Sequence, residues 1–217
     1  MSDKHPWLAV HRGDAPLIVS IPHSGTDIPP EIESELVSGW LARKDADWWV
    51  EKLYDFAPAL DATILRTAIS RTVIDVNRDP SGKSLYPGQA TTELCPSTTF
   101  DGEPLYKKSS HPPDSTQIAA RRLHYFNPYH DTIADEIARL RSIHERVVLF
   151  EAHSIRSHVP RLFDGELPNF NIGTNSGASC ASELQRTVEA VCDASRFSWV
   201  TNGRFKGGWT TRHYGEP

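Results

Sequence analysis

The sequence predicts an α/β fold in which a mixed β-sheet is covered by helices. Short runs rich in β-branched residues alternate with longer segments whose apolar residues recur at helical spacing, a pattern typical of sheets flanked by helices. The 217 residues show neither an internal repeat nor a Gly/Ser-rich linker, and they suffice for one sizeable core. We therefore predict a single domain over residues 1–217.

The first predicted elements are a strand and a helix. The run LIVSIP (17–22) is apolar and ends near a proline, which indicates a buried strand. The segment DADWWVEKLYDFAPAL predicts a helix with Asp45 as its N-cap and Pro58 at its end. Three apolar residues recur at helical spacing along it, namely Trp49, Leu53 and Phe56.

Two further strands are predicted in the runs ATILRT (62–67) and TVIDVN (72–77). Only a few residues separate these runs, so we expect them to form an antiparallel pair. Residues 79–113 contain many turn-forming residues and little periodicity, which predicts a long irregular segment. Loops of this length in compact domains tend to be functional.

The second half of the chain predicts two helices and two strands. A long helix comes first, with a kink at Pro128 and these apolar residues at steps of three or four: Phe126, Tyr129, Ile133, Ile137 and Leu140. The strand VVLFEAH (147–153) and a loop to about residue 178 follow. The helix SCASELQRTVEAVCDA (179–194) and a strand around FSWVTN (197–202) complete the pattern.

Composition excludes several classes of protein. The net charge of -5 argues against a nucleic-acid binder that relies on bulk positive charge. Apolar runs stay far below the roughly 20 residues of a membrane helix, and the amino terminus does not resemble a secretory signal. Cys95, Cys180 and Cys192 are odd in number and lack CxxC spacing, which fits a reducing compartment, so we expect a cytoplasmic protein.

Two histidines stand at the ends of predicted strands. His23 follows the first strand in IPHSG, and His153 closes VVLFEAH. In open α/β sheets, ligands bind in the crevice beyond the carboxyl ends of the strands. Small neighbours leave room for a ligand, namely Ser24, Gly25, Ala152 and Ser154. One histidine at a strand end is commonly structural, but the pair predicts a shared metal ion.

A catalytic zinc ion commonly takes three protein ligands, so a third ligand is needed. Asp47, in the first turn of the predicted helix, is the candidate. The alternative is that the acids at this position only favour the positive end of the helix dipole. Glu151 lies two residues before His153 on the same strand face, so its carboxylate can orient that imidazole.

Cations also gather near these segments, although the chain is acidic overall. Arg156 lies three residues beyond His153, a position suited to stabilising an oxyanion. Other polar or cationic candidates are Arg71, Asn77, Arg78, Arg204, Lys206, Arg212 and His213. Any one of them can be a solvated surface residue, but the group favours a pocket for carboxylates, which arginine binds in a bidentate manner.

Eight ordered motifs together resemble the N-formylglutamate amidohydrolase (N-formylglutamate deformylase) family: IPHSG, DADWWVEKLYDF, SRTVIDVNRDP, SLYPGQ, FDGEPLY, EAHSIRS, LPNFNIGT and NGRFKGGWTTRHYG. The resemblance runs from about residue 15 to the last residue. It implies a mainly parallel sheet in a three-layer architecture like that of zinc carboxypeptidases, one zinc ion (Zn²⁺), and hydrolysis of N-formyl-L-glutamate in histidine degradation. The positions that match the family's zinc ligands are His23, Asp47 and His153.

The sequence departs from the family pattern in two places. Trp49 stands where the family has a histidine, so any role of that imidazole is absent here. The chain ends at Glu216 and Pro217, whereas the family continues into another strand and helix. We therefore expect the general base to be a glutamate beyond Pro217. Glu151 is the candidate base within this chain, but we favour the orienting role for it.

Other interpretations stay open. The same three ligands serve a related zinc amidohydrolase or carboxypeptidase that acts on another N-acyl amino acid. A non-catalytic protein that binds acidic metabolites is an alternative from a different class. A serine hydrolase is not favoured, because Ser24 and Ser154 lie outside a GxSxG motif. The sequence leaves the oligomeric state open, and a monomer is compatible with it.

Overall fold

The computed structural model describes residues 5–84, 88 and 91–216. The chain divides into two compact units. Unit 1 consists of Met1–Val76 and Thr92–Ile155, and unit 2 consists of Asn77–Thr91 and Arg156–Pro217.

The described part of unit 1 contains a four-stranded sheet in the order β1-β3-β2-β4. Its strands are β1 (Leu8–His11), β2 (Leu17–Ile21), β3 (Thr63–Thr67) and β4 (Val148–Glu151). Strand β2 pairs in parallel with both β3 and β4, whereas β1 pairs with β3 in the antiparallel direction. The sheet is therefore mixed and mainly parallel, as the sequence predicts, and the strands β2, β3 and β4 are at predicted positions.

The described part of unit 1 also contains α-helices. They are α1 (Pro30–Glu33), α2 (Gly39–Arg43), α3 (Val50–Leu53), α4 (Ser115–Arg121) and α5 (Asn127–Arg141). A 3₁₀ helix spans Ala57–Leu60, and a π-helical segment, Arg122–Phe126, joins α4 to α5. The predicted long helix is confirmed, and its irregularity is this π-helical segment, directly before Pro128 in the first turn of α5.

Strand β2 lies at the centre of the core because both of its faces are buried. On one face, Val19 and Ile21 belong to a buried cluster with Val50 of α3 and Ala57 of the 3₁₀ helix. On the other face, the Ser20 hydroxyl lies 2.6 Å from the Tyr129 hydroxyl of α5. Side chains that alternate along a strand point to opposite faces, so β2 is fixed from both sides and its carboxyl end is rigidly placed.

The single helix predicted from Asp45 to Pro58 is wrong: only Val50–Leu53 is α-helical, and a separate 3₁₀ helix begins at Ala57. Trp49 has a left-handed backbone with φ of 68°, and α3 begins only at Val50. Asp45 is not an N-cap, since its Oδ2 accepts the N–H of Phe100 over 2.7 Å. The predicted apolar face is also wrong. Val50 and Ala57 are buried, whereas the three residues of the predicted face are exposed, namely Trp49, Leu53 and Phe56.

The strand predicted over TVIDVN (72–77) is also wrong, because this buried segment forms turns rather than a ladder. Its carbonyl groups accept from side chains of the helices: Arg121 Nη1 donates to Val73 O over 3.0 Å, and His130 Nε2 lies 2.8 Å from Val76 O. The antiparallel partner of β3 is therefore β1, which the sequence analysis did not predict. Within the described part of residues 79–113, the predicted irregular structure is confirmed.

Unit 2 contains a two-stranded parallel sheet of β5 (Phe170–Ile172) and β6 (Trp199–Thr201), with the helices α6 (Ser182–Asp193) and α7 (Trp209–Tyr214). The predicted helix over 179–194 and the predicted last strand are confirmed. Strand β5 lies inside the segment predicted as a loop. In neither unit does a helix of the described residues have the length and apolar character needed to cross a bilayer.

Candidate metal centre

The three predicted metal ligands converge within unit 1. One ligand atom from each of His23, Asp47 and His153 lies within 4.8 Å of the other two. His153 Nδ1 is 3.2 Å from Asp47 Oδ2, and His23 Nδ1 is 3.8 Å from the same oxygen. Both imidazoles therefore present Nδ1 toward one carboxylate oxygen.

Two neighbouring strands place the histidines. His23 follows β2 after Pro22, and His153 follows β4 after Ala152. Since β2 and β4 are parallel and adjacent, their carboxyl ends leave the sheet side by side. The Ala152 N–H continues the pairing by donating to Ser20 O over 2.8 Å. The predicted location of both histidines, beyond the carboxyl ends of parallel strands, is confirmed.

Asp47 is placed by a loop between α2 and α3 rather than by a helix. Its backbone N–H donates to the carbonyl of His23 over 2.9 Å. Its Oδ2 accepts the backbone N–H of Ser154 over 3.0 Å. Asp47 is thus bonded to the segments of both histidines, and the alternative of an acid at a helix terminus does not apply.

A second carboxylate lies behind each imidazole. His23 Nε2 is 2.7 Å from Asp75 Oδ1, and His153 Nε2 is 3.3 Å from Glu151 Oε2. The contact of Glu151 is at the predicted position, whereas that of Asp75 was not predicted from the sequence. The available signal was an acid inside the apolar run TVIDVN, four residues after an arginine, because a buried carboxylate requires a partner.

Arg71 joins this network instead of lying at a surface. Its Nη2 donates to Asp75 Oδ2 over 2.6 Å, and its Nη1 lies 3.7 Å from Asp47 Oδ1. The guanidinium carbon lies 4.8 Å from the centre of the Phe100 ring, and the side chain is 8% exposed. The structure therefore brings Arg71, predicted to bind substrate, to the two carboxylates of the metal centre.

The charges of this network suit a divalent cation. Arg71 faces two carboxylates, Asp47 and Asp75, and a third, Glu151, lies beside His153. The three carboxylates and the one guanidinium carry a net charge of two negative units. With both imidazoles neutral, two negative charges are left without compensation. Buried charge without compensation is costly, and one divalent ion supplies the matching charge.

Burial and neighbouring charges shift the pKa values of the three predicted ligands. Burial alone would raise the pKa of Asp47, but the hydrogen bond from His153 and the charges of both histidines and Arg71 hold it below its ordinary value. Burial and the Arg71 charge lower the pKa of His23, despite Asp75. Burial alone would lower the pKa of His153, but the Asp47 and Glu151 carboxylates beside its two ring nitrogens raise it to about 9.

The donor set fits a zinc ion. His23 Nδ1 is buried and has no hydrogen-bond partner among the described residues. A neutral imidazole that donates through Nε2 keeps a lone pair on Nδ1, so this atom is a ready ligand. Two imidazole nitrogens and one carboxylate oxygen are typical of catalytic zinc sites that keep a position open.

The other predicted site residues belong to unit 2. Asn77 Oδ1 accepts the N–H of Thr210 at the start of α7 over 3.0 Å, and Arg78 Nη1 donates to Asn77 O over 3.4 Å. Arg204 Nε donates to Leu162 O over 2.9 Å, and Arg212 Nε donates to Gly207 O over 3.4 Å. Arg156 is the first residue of the second segment of unit 2. The roles of these residues toward a substrate or an oxyanion stay predictions.

Comparison with known families gives a match over most of the chain. A family model described as N-formylglutamate amidohydrolase matches residues 15–217. The N-formylglutamate deformylase of Pseudomonas aeruginosa is 49% identical over 215 residues, which are 97% of this chain and 79% of the relative. The N-formylglutamate deformylase of Pseudomonas putida is 46% identical over 212 residues, which are 97% of this chain and 78% of the relative.

Solved structures show the same fold. The crystal structure of N-formylglutamate amidohydrolase from Ralstonia eutropha JMP134 matches with a TM-score of 0.80 and 21% identity, over 97% of this chain and 81% of that one. A gene product of Agrobacterium tumefaciens matches with a TM-score of 0.67 and 19% identity, over 94% of this chain and 76% of that one. The predicted α/β fold class is thereby confirmed.

Proposed function

Because the chain belongs to the N-formylglutamate amidohydrolase family, we propose that it is a zinc-dependent deformylase that hydrolyses N-formyl-L-glutamate to formate and L-glutamate. The observation that carries the metal dependence is the convergence of one ligand atom each from His23, Asp47 and His153 within 4.8 Å. The substrate comes from the two relatives named N-formylglutamate deformylase, which are 49% and 46% identical to this chain.

The residues that would hold the ion are His23 and His153, through nitrogen, and Asp47, through oxygen. A bound zinc ion supplies Lewis acidity toward the formyl carbonyl and lowers the pKa of a water molecule toward neutrality. The carboxylate of Asp47 accepts the N–H of Ser154 while facing both imidazoles, so its orientation is fixed before any ion arrives. Such preorganisation reduces the cost of assembling the centre.

Glu151 acts on His153 rather than on the substrate in this proposal. The two ring nitrogens of His153 face different carboxylates, Nδ1 toward Asp47 and Nε2 toward Glu151. An imidazole that binds a metal through Nδ1 donates its Nε2–H to a carboxylate, which fixes the ring and its tautomer. This contact favours an orienting role for Glu151 over that of the general base.

The substrate is a dianion, so its recognition requires cations. We assign the oxyanion of the tetrahedral intermediate to Arg156. The two substrate carboxylates are assigned to the polar set of unit 2, namely Asn77, Arg78, Arg204 and Arg212. The proposal also includes a cytoplasmic location and a step in histidine degradation, in keeping with free cysteines at all three cysteine positions.

The test is release of formate from N-formylglutamate by the purified protein. Protein stripped with a chelator should lose activity, and one equivalent of zinc per chain should restore it. N-formylglutamine and N-acetylglutamate serve as alternative substrates. The proposal fails if the zinc-loaded protein releases formate no faster than the stripped protein. Faster hydrolysis of another N-acyl amino acid would reassign the substrate while keeping the metal centre.

A further inference from the structure

We propose that Asp75 is a positioning residue that commits His23 to bind the metal through Nδ1, and that Arg71 holds Asp75 in the required orientation. The inference deepens the proposed function and rests on it for the identity of the metal centre. Asp75 lies outside the three ligand positions, and it acts on the ion only through the His23 ring.

The contact between Asp75 and His23 determines which ring nitrogen carries the proton. Asp75 Oδ1 lies 2.7 Å from His23 Nε2. An ionised carboxylate only accepts hydrogen bonds, so His23 Nε2 is the protonated nitrogen. The lone pair is then on Nδ1, which is buried, lacks a hydrogen-bond partner among the described residues, and lies 3.8 Å from Asp47 Oδ2.

Arg71 fixes the orientation of the Asp75 carboxylate. Its Nη2 donates to Asp75 Oδ2 over 2.6 Å, so the two oxygens of Asp75 contact Arg71 and His23 respectively. The Asp75 backbone N–H is also held, since it donates to Leu94 O over 2.7 Å. Asp75 is fully buried, and a carboxylate bonded at both oxygens in such a place has little freedom to rotate.

Loss of the Asp75 charge allows the other tautomer of the His23 ring. An asparagine of the same shape can turn its amide so that the NH₂ group donates to His23 Nε2. The imidazole proton then moves to Nδ1, where it blocks the lone pair that the metal needs. Replacing a carboxylate that bonds a metal-binding histidine typically weakens metal binding by about 10- to 100-fold.

The experiment compares zinc binding by the unmutated protein, Asp75→Asn and Glu136→Gln. Glu136 is the matched control because it is also a buried carboxylate bonded to an arginine, with its Oε2 2.7 Å from Arg139 Nε. Zinc dissociation constants are measured by competition with a chromophoric chelator at one pH, without substrate. We expect zinc binding to weaken about 10- to 100-fold in Asp75→Asn and to stay unchanged in Glu136→Gln. Equal dissociation constants for Asp75→Asn and the unmutated protein would overturn the proposal.

A second measurement needs no variant at Asp75 and so does not depend on its folding. Long-range ¹H–¹⁵N correlation spectra of the metal-free, unmutated protein report the tautomer of each histidine ring. The His23 signals are identified by their absence in His23→Gln. We expect a proton on Nε2 and none on Nδ1, and a ring protonated on Nδ1 alone would overturn the proposal.

These readouts separate the inference from the proposed function. A protein that binds zinc, loses affinity in Asp75→Asn, and yet releases no formate refutes the deformylase proposal and supports the role of Asp75. A protein that releases formate in a zinc-dependent manner, with unchanged affinity in Asp75→Asn, refutes the role of Asp75 alone.

Discussion

The backbone N–H of Asp47 donates to the backbone carbonyl of His23 over 2.9 Å, so the loop that delivers the acidic ligand is bonded to the strand end that delivers the first imidazole. The same aspartate accepts the backbone N–H of Ser154, next to the second imidazole. One main-chain and one side-chain contact of Asp47 therefore set the spacing of the three candidate ligands, and either histidine side chain can be removed without removing these contacts.

The first prediction follows from this arrangement. We expect His153→Ala to lose stoichiometric zinc while keeping its circular dichroism spectrum, because the Asp47 contacts to His23 O and Ser154 N remain. His144→Ala is the control, since this half-buried histidine bonds Asp14 O, outside the metal centre. Zinc per chain is measured by atomic emission. A full equivalent of zinc in His153→Ala would remove this residue from the ligand set.

The second prediction concerns the stability of the metal-free protein. Arg71→Met should lower the free energy of unfolding by about 3–5 kcal/mol, because it leaves the Asp75 and Asp47 carboxylates buried without their cation. Arg12→Met is the comparison: Arg12 pairs with Glu136, but its side chain is 67% exposed, so we expect a loss of about 0–1 kcal/mol. Urea unfolding of both variants measures the difference, and equal losses would contradict the prediction.

The sequence was sufficient to predict the convergence of His23, Asp47 and His153 and the position of Glu151 beside His153, but not the position of Asp75 beside His23. His23 and His153 were predictable because strand ends are readable from short apolar runs, and parallel strands bring their ends together. The role of Asp75 was not predictable, because its partner His23 lies 52 positions away in the sequence and the apolar run TVIDVN has the pattern of a strand. Helical periodicity failed around Asp47 for a related reason, since its contacts with His23 and Ser154 outweigh local propensity.

The third prediction concerns the left-handed turn after Asp47. Trp49 adopts φ of 68° and is 60% exposed. Glycine adopts this conformation without strain, whereas other residues pay about 1–2 kcal/mol. The urea midpoint of Trp49→Gly should therefore equal or exceed that of the unmutated protein, and the variant should keep its zinc. Trp48→Gly, at the neighbouring position without positive φ, should be less stable than the unmutated protein. A larger loss of stability in Trp49→Gly than in Trp48→Gly would contradict the strain argument.

The fourth prediction concerns the start of α7 in unit 2. Gly208 passes so close to Asn77 that an added Cβ would lie 2.3 Å from the side-chain amide. Gly208→Ala must therefore displace the Asn77 amide, which accepts the N–H of Thr210. We expect slower hydrolysis of N-formylglutamate with zinc content unchanged, because α7 carries Arg212. Ala178→Gly is the control. Gly82→Ala is unsuitable, because a side chain is strained at the φ of 80° of Gly82. Unchanged kinetics in Gly208→Ala would show that this contact does not position α7 for function.

The last prediction tests whether the arginines of unit 2 recognise the side-chain carboxylate of the substrate. N-formylglutamine has the same shape as N-formylglutamate but lacks that charge. Losing a charge-assisted hydrogen bond and leaving an arginine unpaired should cost about 1.5–3 kcal/mol, or roughly ten- to a hundred-fold in kcat/KM.

Arg204→Met and Arg212→Met distinguish the two substrate carboxylates in that test. Replacing the arginine that faces the side-chain carboxylate should abolish the preference for N-formylglutamate, because kcat/KM falls far more for the acid substrate than for the amide. Replacing an arginine that faces the α-carboxylate should lower kcat/KM for both substrates alike. Arg204 donates to Leu162 O over 2.9 Å, so we expect Arg204→Met also to lower stability. Equal kcat/KM for the two substrates in the unmutated enzyme would show that no cation recognises the side-chain carboxylate of the substrate.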